Sequence, residues 1–234
     1  MTTVFYAPPE TFAGTRVILP DAEARHVTKV LRLRPGAEVM VVDGEGGRHR
    51  VRLTRTSGWD AEGEVVATEQ VPRPLPLTLG LGMLKAEERV EFALEKAVEL
   101  GVTRFVPLVT ERTVARRVRL DRLRAHAVAA MKQSLRAHLL EVTAPMALDA
   151  LLGPGAVLLH EGAPLSDMLP TLLTDPARPM TLLVGPEGGF SDGETARANE
   201  SGTRVASLGA VRLRAETAAL VAAAAVYLSR SHAT

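Results

Sequence analysis

Cysteine is absent from this chain of 234 residues, and aromatic residues make up only 3% of it. Without cysteine, disulfide bonds and thiolate metal sites are excluded. With so few aromatic rings, a hydrophobic core must be built from Leu, Val and Ala. A hydrophobic content of 46% is sufficient for such a core, so the composition predicts a folded protein rather than a disordered one.

Long apolar runs and targeting segments are also missing. The most apolar stretch, 215–228, is rich in alanine and shorter than the roughly 20 residues that span a bilayer. Residues 1–10 lack the basic segment followed by an apolar run that is typical of a signal peptide. We therefore expect a soluble, cytoplasmic protein.

The common motifs of nucleotide and metal sites are absent as well. The chain has no G-x-G-x-x-G motif, no lysine-bearing phosphate loop and no H-E-x-x-H or related spacing of histidines. The sequence accordingly predicts no bound metal.

A formal net charge of +1 conceals two basic stretches, at 16–55 and 104–138. Concentrations of Arg and Lys of this kind are typical of proteins that bind a polyanion such as RNA. Solvated helix faces and strand edges are the alternative explanation for either stretch alone.

The chain divides near residue 72. Up to that point, short β-like runs between glycines and prolines predict a small barrel or sandwich, with one helix over 21–33. The predicted strands are 15–19, 38–43, 48–54 and 63–68. Three prolines within 71–76 indicate a stiff linker.

Strands and helices alternate after the linker. The predicted strands are 77–84, 104–109, 157–160, 180–184 and 203–208, and the predicted helices are 87–100, 121–138, 164–173, 192–201 and 215–228. Near-continuous apolar strands between helices predict an α/β domain with a parallel sheet covered on both faces. In the helix over 121–138, Leu123, Ala127, Met131 and Leu135 are expected to face inward.

Two segments near the C-terminal end carry the strongest chemical signal. They are LLVGPEGGFSDGE at 182–194 and LGAVRLRAETAAL at 208–220. Each joins an apolar run, a glycine turn and a helix start, which is where α/β proteins bind ligands. The two together predict one composite pocket for a small molecule.

The first glycine turn favours an adenosine ligand without a phosphate. Ser191 and Glu194 match a capping box, which with Asp192 occupies the helix N-terminus that a phosphate would need. S-adenosylmethionine is a ligand of this kind. A tight strand–helix turn without a ligand is the alternative.

Charged side chains precede the last helix in the second segment. The start of an apolar helix carries three charged residues: Arg212, Arg214 and Glu216. Desolvation of these charged side chains is costly unless they are paired or bind a ligand. A Glu–Arg pair that caps the helix is the alternative.

These motifs resemble those of the bacterial small-subunit (16S) ribosomal RNA uridine-N3 methyltransferases of the SPOUT superfamily. Three further segments carry the resemblance, at 25–46, 85–113 and 132–136, the last reading KQSLR. The chain departs from the family pattern in three places. Val211 replaces the first arginine of the last motif, Lys132 replaces a glutamate, and no proline follows Arg136.

The resemblance implies a fold. It implies a small PUA-like RNA-binding β-barrel over 1–70, a linker over 71–76 and a SPOUT methyltransferase domain over 77–234. The second domain would have a parallel sheet and a C-terminal trefoil knot, a feature that is otherwise nearly absent from proteins. The resemblance also implies a homodimer, in which the alanine-rich helix over 215–228 suits close helix contact. An ordinary core helix is the alternative.

The resemblance further implies an enzyme that uses S-adenosylmethionine to methylate N3 of a specific uridine in small-subunit ribosomal RNA. Its partner would be that RNA or the assembled small subunit. Two alternatives stay open: a SPOUT methyltransferase that acts on transfer RNA, and a non-catalytic RNA-binding assembly protein.

Site residues follow from the same resemblance. For catalysis we expect Arg214 first, Arg136 second, and Glu216 as an orienting group or base. The expected cofactor residues lie in three knot loops and at the start of the last helix: Leu159, His160, Glu161, Val184, Gly185, Pro186, Glu187, Gly188, Gly189, Leu208, Gly209, Leu213, Thr217 and Ala218. The expected RNA-binding residues lie in the two basic stretches: Arg25, His26, Lys29, Arg32, Arg112, Arg116 and Arg117.

Overall fold

The computed structural model describes residues 3–114 and 117–231, which form two compact units. The first unit contains the chain up to Arg73 together with Val128–Leu139. The second contains Pro74–Ala127 and the chain from Leu140 onward. The sequence-based division assigned all of 77–234 to one domain, whereas in the structure the segment 128–139 packs with the first unit.

Six strands form the sheet of the first unit. They are β1 (Val4–Tyr6), β2 (Phe12–Ala13), β3 (Arg16–Ile18), β4 (Glu38–Val42), β5 (Gly47–Ser57) and β6 (Asp60–Gln70). Their order is β1-β4-β5-β6-β3-β2, and every pair except the parallel β1–β4 is antiparallel. Register shifts in the long β5–β6 ladder bend the sheet into a curl. The predicted small, PUA-like β domain is confirmed.

The helix predicted over 21–33 is shorter and changes form. α1 covers Asp21–Arg25 and continues as a π-helical turn over His26–Val30. The Leu31 N–H donates to the carbonyl of His26, and Arg32 then adopts a left-handed backbone with φ of 53°. That conformation ends the helix, so the expectation of one regular helix to residue 33 was wrong.

Aliphatic side chains around one phenylalanine form the core of the first unit. Phe5 is 1% exposed, and only small or branched aliphatic residues are buried with it. They are Ala7, Val17, Leu19, Ala24, Val27, Val39, Val41, Val51, Leu53 and Ala61. This agrees with a composition poor in aromatic residues.

A seven-stranded sheet organises the second unit, and all its pairings are parallel. In chain order the elements are β7 (Leu77–Gly82), α2 (Glu87–Glu99), β8 (Arg104–Val109), α3 (Leu120–Gln133), β9 (Glu141–Val142), β10 (Met146–Ala147), β11 (Ala156–Leu159), α4 (Leu169–Leu172), β12 (Met180–Val184), α5 (Asp192–Glu200), β13 (Arg204–Ala206) and α6 (Ala215–Ser231). The sheet order is β10-β8-β7-β12-β11-β13, with β9 beside β8. The predicted α/β domain with a parallel sheet is confirmed.

α3 ends earlier than the pattern indicated. It begins in the second unit, and its last residues belong to the first. Leu123, Ala127 and Met131 are buried as predicted, but Leu135 is 51% exposed and has a left-handed backbone with φ of 57°. Beyond it, the Leu139 N–H donates to the carbonyl of Gly44. The expected inward position of Leu135 was therefore wrong, because the chain leaves the helix to pair with a loop of the first unit.

The helix predicted over 164–173 is also largely absent. A short 3-10 turn covers Leu165–Asp167, and only the four residues of α4 follow it. Backbone bonds explain the break, since Ser207 donates to the carbonyl of Asp167 and the Leu169 N–H donates to the carbonyl of Ser207. A continuous helix would need these groups for itself. The bonds join a segment after β11 to one after β13, in the region of the predicted knot, which stays a prediction.

α6 runs along β7 and β12 and packs against α2. Its buried side chains are Ala219, Ala222, Ala223 and Val226, whose small size allows close approach to the sheet. Among residues 3–114 and 117–231, no helix combines the length and the apolarity that crossing a bilayer requires.

Candidate functional site

Three loops follow neighbouring strands β11, β12 and β13 at one edge of the parallel sheet. They line a pocket of about 590 Å³. The carboxyl ends of parallel strands share an edge, which is the usual ligand position in open α/β sheets. The two glycine segments of the sequence are thus brought together, with a third loop at 159–161 beside them.

Most of the residues expected to hold a cofactor line this pocket. They are Leu159, His160, Glu161, Val184, Gly185, Pro186, Glu187, Gly188, Gly189, Leu208, Gly209, Leu213 and Ala218. Thr217 is half-buried in α6 and is not among the lining residues. Arg214 and Glu216 also line the pocket, whereas Arg136 lies in the 128–139 segment of the first unit.

The loop after β12 lies against β7 with little space. A Cβ at Gly82 would stand 2.3 Å from the backbone nitrogen of Pro186 and 2.7 Å from the carbonyl carbon of Gly185. Farther along, the backbone N–H of Lys85 donates to Glu187 Oε1 over 3.1 Å. Only glycine fits such an approach of two backbones. Gly82 therefore allows a pocket-lining loop to lie directly against β7, although its sequence position, inside an apolar strand, gave no chemical signal.

The N-terminus of α5 is closed by the predicted capping box. The Glu194 N–H donates to Ser191 Oγ over 3.0 Å, and the Ser191 N–H donates to Glu194 Oε2 over 2.8 Å. The other carboxylate oxygen of Glu194, a residue only 1% exposed, accepts the N–H of Glu111 over 2.9 Å. The capping box is confirmed. The donors that would attract a phosphate at this end of the helix are partly occupied by protein groups.

Arg112, which we expected to bind RNA, lies at the pocket. Its Nη1 donates to the carbonyl of Gly188 over 2.8 Å, and a Cβ at Gly188 would be 3.3 Å from the Cβ of Arg112. Next to it, a hydrogen bond from Ser191 and the nearby guanidinium of Arg197 lower the pKa of the Glu111 carboxyl below its ordinary value. The rim of the pocket is thus fixed by charged and polar contacts.

Two ion pairs involve residues at the mouth of the pocket. Arg212 Nε lies 3.1 Å from Glu161 Oε2, between two exposed side chains. Arg89 Nε lies 3.6 Å from Glu216 Oε1, and the Glu216 side chain is only 12% exposed. Sequence reasoning missed Arg89. It precedes Glu216 by more than half the chain, and only the packing of α2 against α6 brings them together.

Arg214 is exposed, as Arg212 is, but it lacks such a partner. Within residues 3–114 and 117–231, its guanidinium forms neither an ion pair nor a hydrogen bond. Glu216, expected as an orienting group or a base, pairs with Arg89 and not with Arg214. The free cation lines the pocket and is available to a ligand.

His160 has a local contact in the loop after β11. Its Nδ1 accepts the backbone N–H of Gly162 over 3.0 Å, which fixes the imidazole against its own turn. In the described part of the chain, no group of three or more acidic or histidine side chains could hold a metal ion.

The other residues expected to bind RNA fall into three groups. Arg25, Lys29 and Arg32 are exposed in the first unit. His26 is half-buried there, with its ring 5.6 Å from that of Phe5, so it packs toward the core. Arg117 lines a small cavity of about 30 Å³ in the second unit, and Arg116 lies outside the described residues.

Two family models match the chain. A model described as an RNA methyltransferase domain matches residues 71–227, and one described as an RNA methyltransferase PUA domain matches residues 19–58. The first covers the second unit's sheet and pocket, and the second covers part of the small β domain.

Among curated proteins, the chain is similar to the ribosomal RNA small subunit methyltransferase E of Synechocystis. The two are 35% identical over 227 residues, which are 93% of this chain and 75% of that protein. Among solved structures, it is similar to the enzyme of the same name from Neisseria gonorrhoeae bound to S-adenosyl methionine, with 32% identity and a TM-score of 0.85 over 97% of this chain and 98% of that one. A probable rRNA-methyltransferase from Porphyromonas gingivalis has 29% identity and a TM-score of 0.90 over 99% and 100%.

Proposed function

The chain belongs to the family of RNA methyltransferases that carry a PUA domain, and from that premise we propose that it uses S-adenosylmethionine to methylate N3 of a uridine in small-subunit (16S) ribosomal RNA. The observation that carries the proposal is the pocket at the ends of β11, β12 and β13. Thirteen of the fourteen residues expected to hold the cofactor line it.

The pocket fits S-adenosylmethionine in size and in chemistry. Its volume of about 590 Å³ lies within the roughly 300–1,000 Å³ of ordinary small-molecule sites. Gly189 and Gly209 have positive φ values of 70° and 124°, so two of the loops have backbone conformations that glycine adopts readily. The capped N-terminus of α5 disfavours a phosphate and suits an adenosine ligand without one. When bound, S-adenosylmethionine supplies an electrophilic methyl group on a cationic sulfur.

Proton loss is the chemical obstacle in methylation at uridine N3. That nitrogen is protonated at neutral pH, so its proton must pass to solvent water, and the charge left on deprotonation spreads over the two flanking carbonyl oxygens. A cation held beside those oxygens stabilises the transition state. We assign this role to Arg214, because its exposed guanidinium lines the pocket without an ion-pair partner in the described part of the chain.

Glu216 and Arg136 have secondary roles in this proposal. Because Glu216 lies 3.6 Å from Arg89, we assign it to orientation of the α6 N-terminal turn rather than to proton removal. Orienting contacts of this kind can supply much of a rate enhancement by aligning the reacting atoms. Arg136 stays the second candidate for contact with the uridine. It ranks after Arg214 because it is not among the residues that line the pocket.

The RNA would be bound through exposed cations of the first unit, and the proposed target base must be unpaired or splayed out to reach a pocket.

We also propose a homodimer. α6 leaves Val221 and Tyr227 partly exposed, at 38% and 44%, beside its alanine-rich inner face. An RNA substrate in the ribosome agrees with the predicted cytoplasmic location.

One assay separates the proposed substrate from its alternatives. Methyl transfer from labelled S-adenosylmethionine is measured in parallel on assembled small subunits, free 16S ribosomal RNA and transfer RNA. We expect label in small-subunit RNA and none in transfer RNA. Label in transfer RNA alone would contradict the substrate, and a chain that binds RNA but has no measurable affinity for S-adenosylmethionine would contradict the enzyme.

A further inference from the structure

The single tryptophan of the chain stands at the tip of the β5–β6 hairpin in the first unit. Trp59 is 59% exposed, although it is the largest apolar side chain in the sequence. By contrast, Phe5, Phe105 and Phe190 are each at most 1% exposed. The exposed indole leaves a large flat aromatic face accessible to a ligand.

One cation lies over this indole, and further exposed cations follow it along the chain. The Arg25 guanidinium carbon lies 5.2 Å from the ring centroid of Trp59, a cation–π distance. Thr28 Oγ1 donates to the carbonyl of Gly58 over 2.7 Å and so ties the α1 region to the hairpin tip. Lys29 lies about one turn beyond Arg25 on the same short helix. We use the name Trp59 surface for Trp59 together with the exposed cations of the short helix and of the chain just after it: Arg25, Lys29, Arg32 and Arg34.

The charge of the Trp59 surface is not neutralised. Within residues 3–114 and 117–231, the four cations of this surface form no ion pair. The neighbouring arginines of β5 behave differently. Arg52 pairs with Glu38 at 2.9 Å, and Arg55 pairs with Asp60 at 2.7 Å. The basic stretch at 16–55 therefore contains a neutralised group on the sheet and an unpaired group around Trp59.

An exposed aromatic ring among unpaired cations matches the chemistry of single-stranded nucleic acid. Bases stack on aromatic rings, while Lys and Arg contact the phosphates on either side. A protein partner with an acidic peptide would use the cations but would not require an exposed indole. A double-stranded RNA would offer no free base face to the ring.

We propose that the Trp59 surface binds single-stranded RNA, with an unpaired base stacked on the indole and with Lys29 and Arg32 contacting the flanking phosphates. The inference rests on the proposed function only in taking RNA as the substrate class. It adds a base-stacking position at Trp59 to the first-unit cations already proposed to bind the RNA. The competing explanation is that Arg25 and Trp59 only stabilise the hairpin tip.

The tryptophan fluorescence of the protein reports on Trp59 alone, because no other residue of the chain is a tryptophan. The intrinsic tryptophan fluorescence of the full-length protein is measured during titration with single-stranded oligoadenylate RNA and, separately, with inorganic polyphosphate. Base stacking quenches indole emission, whereas phosphate contacts alone leave it nearly unchanged. We expect quenching that saturates with RNA and none with polyphosphate. Equal responses to both polyanions, or no response to RNA, would overturn the stacking.

Variants test the same site without fluorescence. Trp59→Ala should weaken RNA binding about 5- to 150-fold, the range that removal of one stacking ring produces. Trp59→Phe keeps a ring and should lose much less. Lys29→Ala should lower the slope of log affinity against log salt by about 0.7, because one phosphate contact is removed. Arg55→Ala is the matched control, since its cation is already paired on the same hairpin, and should leave affinity within about twofold.

The outcomes separate this inference from the proposed function. If Trp59→Ala binds RNA as tightly as the wild-type protein, the Trp59 surface is not the RNA site. In that case S-adenosylmethionine binding and methyl transfer by the wild-type chain still support the enzyme. A wild-type chain that shows the quenching but has no affinity for S-adenosylmethionine would instead contradict the enzyme and support the RNA site.

Discussion

Replacing Gly82 by alanine is expected to disable the pocket while leaving the sheet intact. The new Cβ would stand 2.3 Å from the backbone nitrogen of Pro186, whereas ordinary contacts begin at 3.4 Å, so the loop must move by about 1.1 Å. The new Cβ would collide with backbone atoms, which cannot rotate away as a side chain can. A displacement of about 1 Å in a positioned reactive geometry can cost on the order of 100-fold in rate. We expect methyl transfer to fall by about that factor and S-adenosylmethionine affinity to fall with it.

The control lies two residues earlier on the same strand. A Cβ at Gly80 would meet the side-chain ends of Leu183 and Leu108, at 2.9 and 3.0 Å, which can rotate as a backbone cannot. Gly80→Ala should therefore cost about 1–3 kcal/mol of stability through overpacking and should keep cofactor affinity. Calorimetric titration with S-adenosylmethionine and thermal unfolding are measured for both variants. If Gly82→Ala binds the cofactor like the wild-type protein, the loop after β12 does not form the binding site.

Substitutions at three further residues test other parts of the site. Arg214→Ala should lower kcat about 100- to 1,000-fold with S-adenosylmethionine affinity preserved, and an unchanged kcat would refute its role beside the uridine. Arg89→Ala should reduce methyl transfer while changing the free energy of unfolding by no more than about 1 kcal/mol, because the pair with Glu216 is partly exposed. Arg89→Lys keeps the charge and should restore most of the rate. If the free energy of unfolding instead falls by as much as the activation free energy of methyl transfer rises, Arg89 has a structural role only. Ser191→Ala should cost about 1 kcal/mol through loss of the cap, which is about 2–4 °C in Tm for a chain of this size, and an unchanged Tm would contradict the capping box as a stabilising element.

Local chemistry in the sequence was sufficient for much of the second unit. β8 and β12 have the predicted bounds, because unbroken apolar runs between helices leave little ambiguity. The capping box at Ser191 and Glu194 was also predicted, since both partners lie within one helical turn. Glycines after the strands marked the loops of the pocket for the same reason: their signal is contained in a few neighbouring residues.

Predictions failed where distant parts of the chain decide the local structure. The end of α3 depends on backbone pairing of 135–139 with the loop near Gly44, which no helical pattern contains. The broken helix at 164–173 depends on the backbone of Ser207 in the same way. Arg89 lines the pocket and Gly82 supports one of its loops only because α2 and β7 pack beside the C-terminal segments. The residue types at these two positions do not indicate which distant segment will pack beside them.

Nucleoside analysis of the reaction product tests the central claim most directly. Small ribosomal subunits that lack the modification are incubated with the protein and S-adenosylmethionine, and the digested RNA is analysed by mass spectrometry against a uridine N3-methyl standard. The proposal predicts N3-methyluridine in the small-subunit RNA with the wild-type protein and a large loss of it with Arg214→Ala. A methyl group on any other nucleoside or on another atom of uridine would contradict it.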